Sequence, residues 1–298
     1  MKVYENSSFG ETRTFVVEND QPVQIIIHRD LVLNAGDIVT VKIKAFHPVL
    51  KGYFAETDRG DLFIPTDKKL IEGESVTVQV VKEARADKVA TAHFPVGNKA
   101  ESEMKAEEIS ADQADEWIDM AMARDVRLKD GGFLHIDRTR VCWTIDVDSG
   151  ESRDSLTEIN QCAAPEVVHQ IVLKNMGGMI LVDFAGSKRG KVAKTLETQM
   201  KQAFAGQGDV ILHGWTKAGL FEIERKRFRA DLWTSCGADN SVHIYYRVRR
   251  ALDKCRLKRP LLTVSLPVFN LLKKQTIGVK MKPACDAPVS YFTLEEEK

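Results

Sequence analysis

The segment most restrictive of the fold lies between residues 36 and 95. It contains five strand-like stretches, separated by Gly, Pro and Asp turns: GDIVTVKIKAF, KGYFAET, GDLFIP, ESVTVQVVKE and KVATAHF. Five short strands within about 60 residues are typical of a small closed barrel such as an OB-fold. The sequence therefore predicts a β-barrel over residues 36–97.

The segments on either side of the barrel have other patterns. Residues 12–29 hold two apolar runs around the turn signal END, which predicts a strand pair. Residues 98–107 are polar and charged, as in a linker. Ser110 is a suitable N-cap for a helix over 111–124, with Trp117, Met120 and Ala121 expected on one face.

From residue 128 onward, strand and helix patterns alternate, which indicates an α/β architecture. The order is a hairpin (GGFLHIDRTRVCWTIDVDSG), a helix (LTEINQCAAPEVVHQIVLKN), a buried strand (GGMILVDF), a basic amphipathic helix (KVAKTLETQMKQAFAG) and two strands (DVILHGW and GLFEIERKRF). Beyond residue 243 we expect a basic helix, a strand and a short helix around 266–274.

Charge is distributed unevenly along a chain whose net charge is zero. Residues 186–260 carry 17 lysines and arginines against 7 acidic residues, whereas residues 98–119 carry eight acids and two lysines. A zero net charge argues against a tail-like nucleic-acid binder. The basic region is nevertheless suited to a polyanion.

Cysteine usage and the absence of long apolar runs bear on the compartment. The five cysteines show no CxxC spacing, which favours free thiols over a zinc site or a disulfide framework. The start of the sequence has no apolar signal core, and no run reaches the roughly 18 residues of a membrane span. We therefore expect a cytoplasmic protein.

Aspartates end two of the apolar strands. CWTIDVD supplies Asp146 and Asp148, which alternation places on one strand face, and MILVDF supplies Asp183. A carboxylate after several buried apolar residues is unfavourable unless it is paired, hydrogen-bonded or bound to a metal. Two such strand ends side by side would suit Mg²⁺, which could activate a water against a phosphate. The alternative is that these aspartates only cap the turns where the strands leave the sheet.

Aromatic and basic residues in the barrel suggest a surface for RNA. Phe46, Phe54 and Phe63 lie on three predicted strands; the lysines near them in sequence are Lys42, Lys44, Lys51 and Lys88. Aromatic rings beside a basic groove hold single-stranded RNA on OB-folds. The alternative is that these phenylalanines fill the barrel core.

Two basic runs and several histidines have open interpretations. The runs are Lys188, Arg189, Lys191 and Lys194, and then Arg225, Lys226, Arg227 and Arg229. They could neutralise phosphates or form a solvated helix face. His135, His169 and His213 show no metal-ligand spacing and are interpreted as structural.

At these segments the sequence resembles the bacterial ribonuclease E/G family. The hairpin 131–150 is similar to the strand pair that ends in the family's Ile-Asp-Ile-Asn-Ser motif, and residues 160–184 resemble its helix, Gly-Gly turn and Ile-Asp-Phe strand. TKAGLFEIERKRFRADL resembles the Ser-Arg-Phe-Gly-Leu-Leu-Glu segment and the Arg-x-Arg that follows it. GETR and GYFAETDRGDLFIP resemble the family's ribosomal-type OB module. The resemblance covers about two thirds of the chain in the family's order.

The resemblance implies a domain organisation. Residues 1–35 would supply strands of an RNase-H-like subdomain, into which the OB barrel (36–97) is inserted. A linker and acidic helix (98–127) would then lead to a DNase-I-like α/β catalytic subdomain (128–235), followed by a C-terminal α/β region (236–298).

The same resemblance implies an endoribonuclease that cuts single-stranded RNA with Mg²⁺. Its two metal-binding aspartates correspond to Asp146 and Asp183, and its third site residue corresponds to Asp148. The RNA-contacting residues implied by the family or expected from the charge pattern are Phe54, Phe63, Lys88, Lys217, Arg225 and Arg227.

The sequence also departs from the family pattern. Asp148 replaces an asparagine, and Lys217-Ala218 replaces Arg-Phe. The Cys-Pro-x-Cys zinc link is absent, so a homodimer would form without it, and most of the 5′-monophosphate sensor is missing. The replaced Arg-Phe pair and the missing sensor motivate an alternative function: an RNA-binding protein of the same fold with impaired catalysis, acting in RNA processing or ribosome assembly. A weaker alternative is a phosphoesterase acting on a small nucleotide.

Overall fold

The protein has a mixed α/β architecture that contains a closed β-barrel. The structure is a computed structural model, and it describes residues 1–85, 88–95, 105–129, 131–186, 190–274 and 277–297. The linker predicted at 98–107 lies outside the described residues from 98 to 104.

The chain begins with three antiparallel strands, namely β1 (Lys2–Ser8), β2 (Glu11–Glu18) and β3 (Gln21–Arg29). Asn19 and Asp20 connect β2 to β3 with φ of 50° and 60°. Such left-handed two-residue turns match the twist of antiparallel strands, and Asn and Asp tolerate them well. The strand pair predicted around the END turn is confirmed.

The next five strands close into the predicted barrel. They are β4 (Ile38–His47), β5 (Gly52–Thr57), β6 (Gly60–Pro65), β7 (Ser75–Lys82) and β8 (Ala90–His93), arranged in the order β4-β5-β6-β8-β7. Alternate residues of these strands point inward and pack together, including Val41, Ile43, Ala55, Leu62, Ile64, Val78 and Ala90. The barrel is consistent with an OB-fold.

The chain then returns to the first sheet. Strand β9 (Glu107–Glu108) pairs in parallel with β1, so the barrel is inserted between two segments of one sheet. Helix α1 (Ala111–Met122) follows, and the Ser110 side chain accepts a hydrogen bond from the Gln113 amide, as predicted for its cap. Of the three residues expected on one face, Ala121 is buried and Trp117 packs against the same core, whereas Met120 does not. Met120 is 46% exposed, because Ala114, Ile118 and Ala121 form the stripe that packs inward.

The sheet that carries the aspartates has the order β10-β11-β12-β13-β15-β14 in the part of the chain that the structure describes. Its strands are β10 (Asp125–Arg127), β11 (Phe133–Arg138), β12 (Cys142–Asp148), β13 (Gly178–Asp183), β14 (Val210–Trp215) and β15 (Phe221–Arg225), and its helices are α2 (Leu156–Leu173) and α3 (Gly190–Ala203). Both helices contribute to a core with one face of the sheet, through residues such as Val167 and Leu196. On the other face the described side chains are half-buried or exposed, such as Leu181 and Glu224.

The C-terminal part adds helices α4 (Leu232–Cys236), α5 (Ser241–Lys254) and α6 (Leu266–Leu272), and strands β16 (Pro260–Ser265), β17 (Lys280–Ala284) and β18 (Phe292–Glu296). Its three strands have the order β17-β16-β18. Helix α5 joins the N-terminal sheet through a buried ion cluster: Glu11 accepts from Arg29 at 2.8 Å and pairs with Arg250. No helix among the described residues is long and apolar enough to cross a membrane.

Candidate active site

Asp146 and Asp183 are direct neighbours across two parallel strands. β12 and β13 pair in register with Asp146 opposite Asp183, and the residues before them, Ile145 and Val182, are buried. Because β12, α2 and β13 form a crossover unit, both strands end at the same edge of the sheet. Paired strands lie about 4.8 Å apart, so the two carboxylates leave the same face side by side.

The backbone beyond Asp183 is fixed by a buried side chain. Asn160, on α2, donates to the Ala185 carbonyl at 2.8 Å and accepts from the Ala185 amide at 2.9 Å. Asn160 is 2% exposed, so water does not compete for these bonds. Helix α2 thereby holds Ala185, two residues after Asp183, in place.

Asp148 and His135 extend this edge. Asp148 is two residues after Asp146 on the same strand face, and His135 of β11 is the register partner of Asp146. The His135 imidazole lies between two carboxylates: Nδ1 is 2.7 Å from Asp125 and Nε2 is 3.7 Å from Asp148. The hydrogen bond with Asp125 agrees with the interpretation of His135 as structural, whereas the sequence analysis did not single out Asp125. The signal for the position of His135 was present in the hairpin, since its alternation puts His135 and Asp146 on one face.

The surrounding carboxylates raise the pKa of His135. The hydrogen bond with Asp125 is the largest cause, and the negative charges of Asp125, Asp148 and Asp146 act in the same direction, whereas burial opposes them. The charged imidazolium is therefore favoured beside this acidic edge.

The donor chemistry of the edge suits Mg²⁺. Asp146 and Asp183 offer oxygen ligands, and Mg²⁺ in proteins is commonly held by one or two carboxylates with waters completing the shell. The described residues do not offer a coordination shell made wholly of protein side chains, because they include no group of three or more His, Cys, Asp or Glu arranged to hold a metal ion. Asp148 also has the turn-capping role that the sequence left open, since its Oδ1 accepts from the Gly150 amide at 3.0 Å.

Lys217 lies at the same end of the sheet as Asp183. It is exposed in the turn between β14 and β15, and the pairs Trp215–Phe221 and Val182–Phe221 put that turn beyond the end of β13. A cation at this edge can approach a phosphate that meets the aspartates.

The arginines that follow have partners within the protein. Arg225 is 7% exposed; its Nη1 donates to Asn175 and the Met176 carbonyl at 3.1 and 3.0 Å, and Asp209 lies 2.9 Å from its Nε. The structure thus gives Arg225 a structural role, and its predicted phosphate contact remains untested. Arg227 is half-buried and donates from Nε to the Gly177 carbonyl at 2.7 Å.

On the barrel, Phe54 and Phe63 face outward. They are register partners on β5 and β6, their ring centroids are 5.3 Å apart, and neither belongs to the barrel core. His47 approaches Phe54 at 5.9 Å, and Phe46 is 53% exposed. These rings are available at the surface, so the alternative that they fill the core does not apply.

The predicted site residues thus fall into separate groups. Asp146, Asp148, Asp183 and Lys217 share one sheet edge, and Phe54 and Phe63 share the barrel surface. Lys88 and Arg227 line a different groove. Lys191 and Lys194 are exposed on α3, as on a solvated helix face, whereas Lys188 and Arg189 lie outside the described residues.

Comparison with known proteins shows which family the chain is related to. The model of the Ribonuclease E/G family matches residues 62–228, more than half of the chain, including the whole aspartate edge. The chain belongs to this family. It is 27% identical over 191 residues to ribonuclease G of Haemophilus influenzae, covering 60% of this chain and 37% of that protein.

Two relatives from Escherichia coli strain K12 show the same pattern. Ribonuclease E is 28% identical over 196 residues, covering 62% of this chain and 18% of its own length. Ribonuclease G is 30% identical over 122 residues, covering 39% of this chain and 25% of its own length. The chain therefore spans well under half the length of these relatives.

Proposed function

We propose that this protein is a Mg²⁺-dependent endoribonuclease that cuts single-stranded RNA at the carboxyl edge of β12 and β13. The observation that carries the proposal is the in-register pair Asp146–Asp183 at the ends of two parallel strands, within the segment that matches the Ribonuclease E/G family. The relatives' names, ribonuclease E and ribonuclease G, indicate the substrate class. Crevices outside the carboxyl ends of parallel strands are common binding sites in open α/β sheets.

In this proposal Asp146 and Asp183 hold the cation, and Asp148 is a further ligand or orients a water. Bound Mg²⁺ would supply an activated water and stabilise negative charge on the phosphate. Lys217, in the turn at the same edge, holds the phosphate of the scissile bond by charge.

The barrel supplies the affinity for unpaired bases. Phe54 and Phe63 lie side by side at its surface, and base stacking on such rings contributes about 1–3 kcal/mol per base without sequence readout. Stacking requires bases free of a duplex, which explains a preference for single strands. Lys88 and Arg227 contact the RNA backbone away from the aspartate edge. Arg225 has no part in RNA binding here, because its guanidinium already has buried partners.

We further propose that the six-stranded sheet with α2 and α3 is a DNase-I-like catalytic subdomain, and that β1–β3 belong to an RNase-H-like subdomain. The insertion of the barrel between β3 and β9, which share one sheet, supports a split N-terminal subdomain.

The test is cleavage of an unstructured, labelled RNA with Mg²⁺ by Asp146→Asn and Asp183→Asn. Loss of a metal interaction worth about 3 kcal/mol in the transition state should lower kcat of each variant roughly 10²-fold. Asp137→Asn is the matched control, since Asp137 is an exposed aspartate of the same sheet, on β11. Full cleavage by both Asp146→Asn and Asp183→Asn would refute the proposed mechanism.

A second candidate is an RNA-binding protein of the same fold that does not cleave. The observation that favours it is that, in the described part of the chain, no three potential metal-binding side chains surround one point. Purified wild-type protein that binds RNA but leaves it intact with Mg²⁺ and with Mn²⁺ would favour this candidate.

A further inference from the structure

A groove of about 940 Å³ lies between the barrel and the α/β body. Three chain segments contribute cations to it. Arg85 and Lys88 come from the loop before β8, Arg138 and Arg140 from the end of β11 and the turn after it, and Arg227 and Arg229 from the segment after β15. We call this set of six residues the basic groove.

The basic groove has an excess of positive charge. Its described lining contains these six cations and two aspartates, Asp231 and Asp239. Asp231 is occupied by Arg138, whose Nη1 lies 2.7 and 2.9 Å from its two oxygens. Among the described residues, no carboxylate forms an ion pair with Arg85, Lys88 or Arg140. Neighbouring cations repel each other, so they favour an anionic ligand that spans them.

One of these cations is held in position by the local backbone. The Arg227 guanidinium lies against the Gly177–Gly178 turn, where a Cβ on Gly178 would lie 2.0 Å from Nη2. Its Nε donates to the Gly177 carbonyl at 2.7 Å, which leaves the remaining guanidinium donors without a carboxylate among the described residues. A preorganised fork of this kind matches phosphate oxygens.

The basic groove and the aspartate edge lie at opposite ends of the same strands. Cys142, the first residue of β12, lines the groove, whereas Asp146 and Asp148 are four and six residues further along. At about 3.3 Å per residue the two sites are separated by roughly 13–20 Å along the strand. None of the three aspartates lines the groove.

We propose that the basic groove is a second RNA site, which binds the sugar–phosphate backbone of the strand away from the edge where cleavage occurs. The inference depends on the proposed function only in taking RNA as the substrate. Arginines from separate chain segments can each meet a different phosphate, and contacts to phosphates give affinity without sequence preference. Lys88 and Arg227 thus act as anchors, and Arg85 and Arg140 join them.

The test is the affinity of a fluorescent oligouridylate, measured by anisotropy over a salt series with chelator present so that no cleavage occurs. For Lys88→Gln, Arg140→Gln and Arg227→Gln, each lost phosphate contact should reduce the salt slope of log Kd by about 0.7, or roughly fivefold in affinity near 0.1 M salt. Lys282→Gln is the matched control, because Lys282 is exposed on β17 and equally alters net charge.

Wild-type affinity and salt slope in all three groove variants would overturn the inference. So would equal competition by polyglutamate of the same charge, which would point to an acidic protein partner instead. The outcome is independent of cleavage: groove-dependent binding by a protein that never cleaves would reject the proposed endoribonuclease and leave the second site standing.

Discussion

Replacing Glu11 by glutamine tests the buried ion cluster that joins β2 to α5. The Glu11 side chain is 1% exposed and faces three arginines whose side chains are 1–9% exposed, namely Arg13, Arg29 and Arg250. In Glu11→Gln the shape of the side chain is kept, but among the described residues Arg13 and Arg250 then keep an ion pair only with Asp115, which is 45% exposed. Removing one partner of a buried pair leaves an uncompensated charge and costs about 3–5 kcal/mol.

At roughly 2–4 °C per kcal/mol, this loss corresponds to a thermal midpoint about 10 °C lower. The assay is thermal unfolding followed by far-ultraviolet circular dichroism, with Glu18→Gln as the control. Glu18 ends the same strand in an exposed position, so its loss should leave the midpoint unchanged. Equal midpoints for the two variants would show that water reaches the cluster and screens it.

Three further predictions concern other parts of the molecule. Burial lowers the pKa of His243 to about 3, so between about pH 6.5 and pH 3 the unfolded chain binds a proton that the native state does not. As the pH is lowered through that range, the free energy of unfolding should decrease by about 1.4 kcal/mol per pH unit. A urea-unfolding series should show a smaller decrease for His243→Gln. Phe63→Leu should weaken RNA binding roughly tenfold by anisotropy, because it removes a ring on which a base can stack. Its melting midpoint should stay near that of the exposed control Ile71→Ala, because Phe63 is outside the barrel core. Gly178→Ala forces a side chain onto φ of +87° and against Arg227, and should lower stability by about 1–2 kcal/mol in chemical denaturation.

Strand alternation made much of the site predictable. Leu62 and Ile64 are two residues apart and both buried, which leaves Phe63 on the outer face of β6. The same reasoning predicts that Asp146 and Asp148 share a face. The pairing of Asp146 with Asp183 follows once a helix connects β12 to β13, because such a crossover makes the strands parallel.

Features that depend on docking between distant segments could not be predicted. The basic groove combines residues from the barrel loop near Arg85 with the β11–β12 turn near Arg140, and no local pattern specifies how those segments meet. Arg225 is a case in which a local sequence pattern was present but indicated the wrong environment. It belongs to a basic run in sequence, yet strand alternation with Phe221 and Ile223 turns it toward the buried side, where Asp209 and backbone carbonyls receive it.

Under the proposed function, the charge arrangement on β12 and β13 separates the edge where RNA is cleaved from the surfaces that supply affinity for RNA. A carboxylate edge repels RNA until a cation neutralises it, so this edge contributes little binding energy of its own. The sheet face that carries these aspartates does not attract RNA either, because Glu222 and Glu224 lie on it. Under the proposed function, affinity for RNA then comes from surfaces outside that face, namely the aromatic surface of the barrel and the basic groove. A chain of zero net charge can thus present a basic surface to a polyanion, because Cys142 at the start of β12 lines the basic groove whereas Asp146 and Asp148 lie toward the other end of that strand.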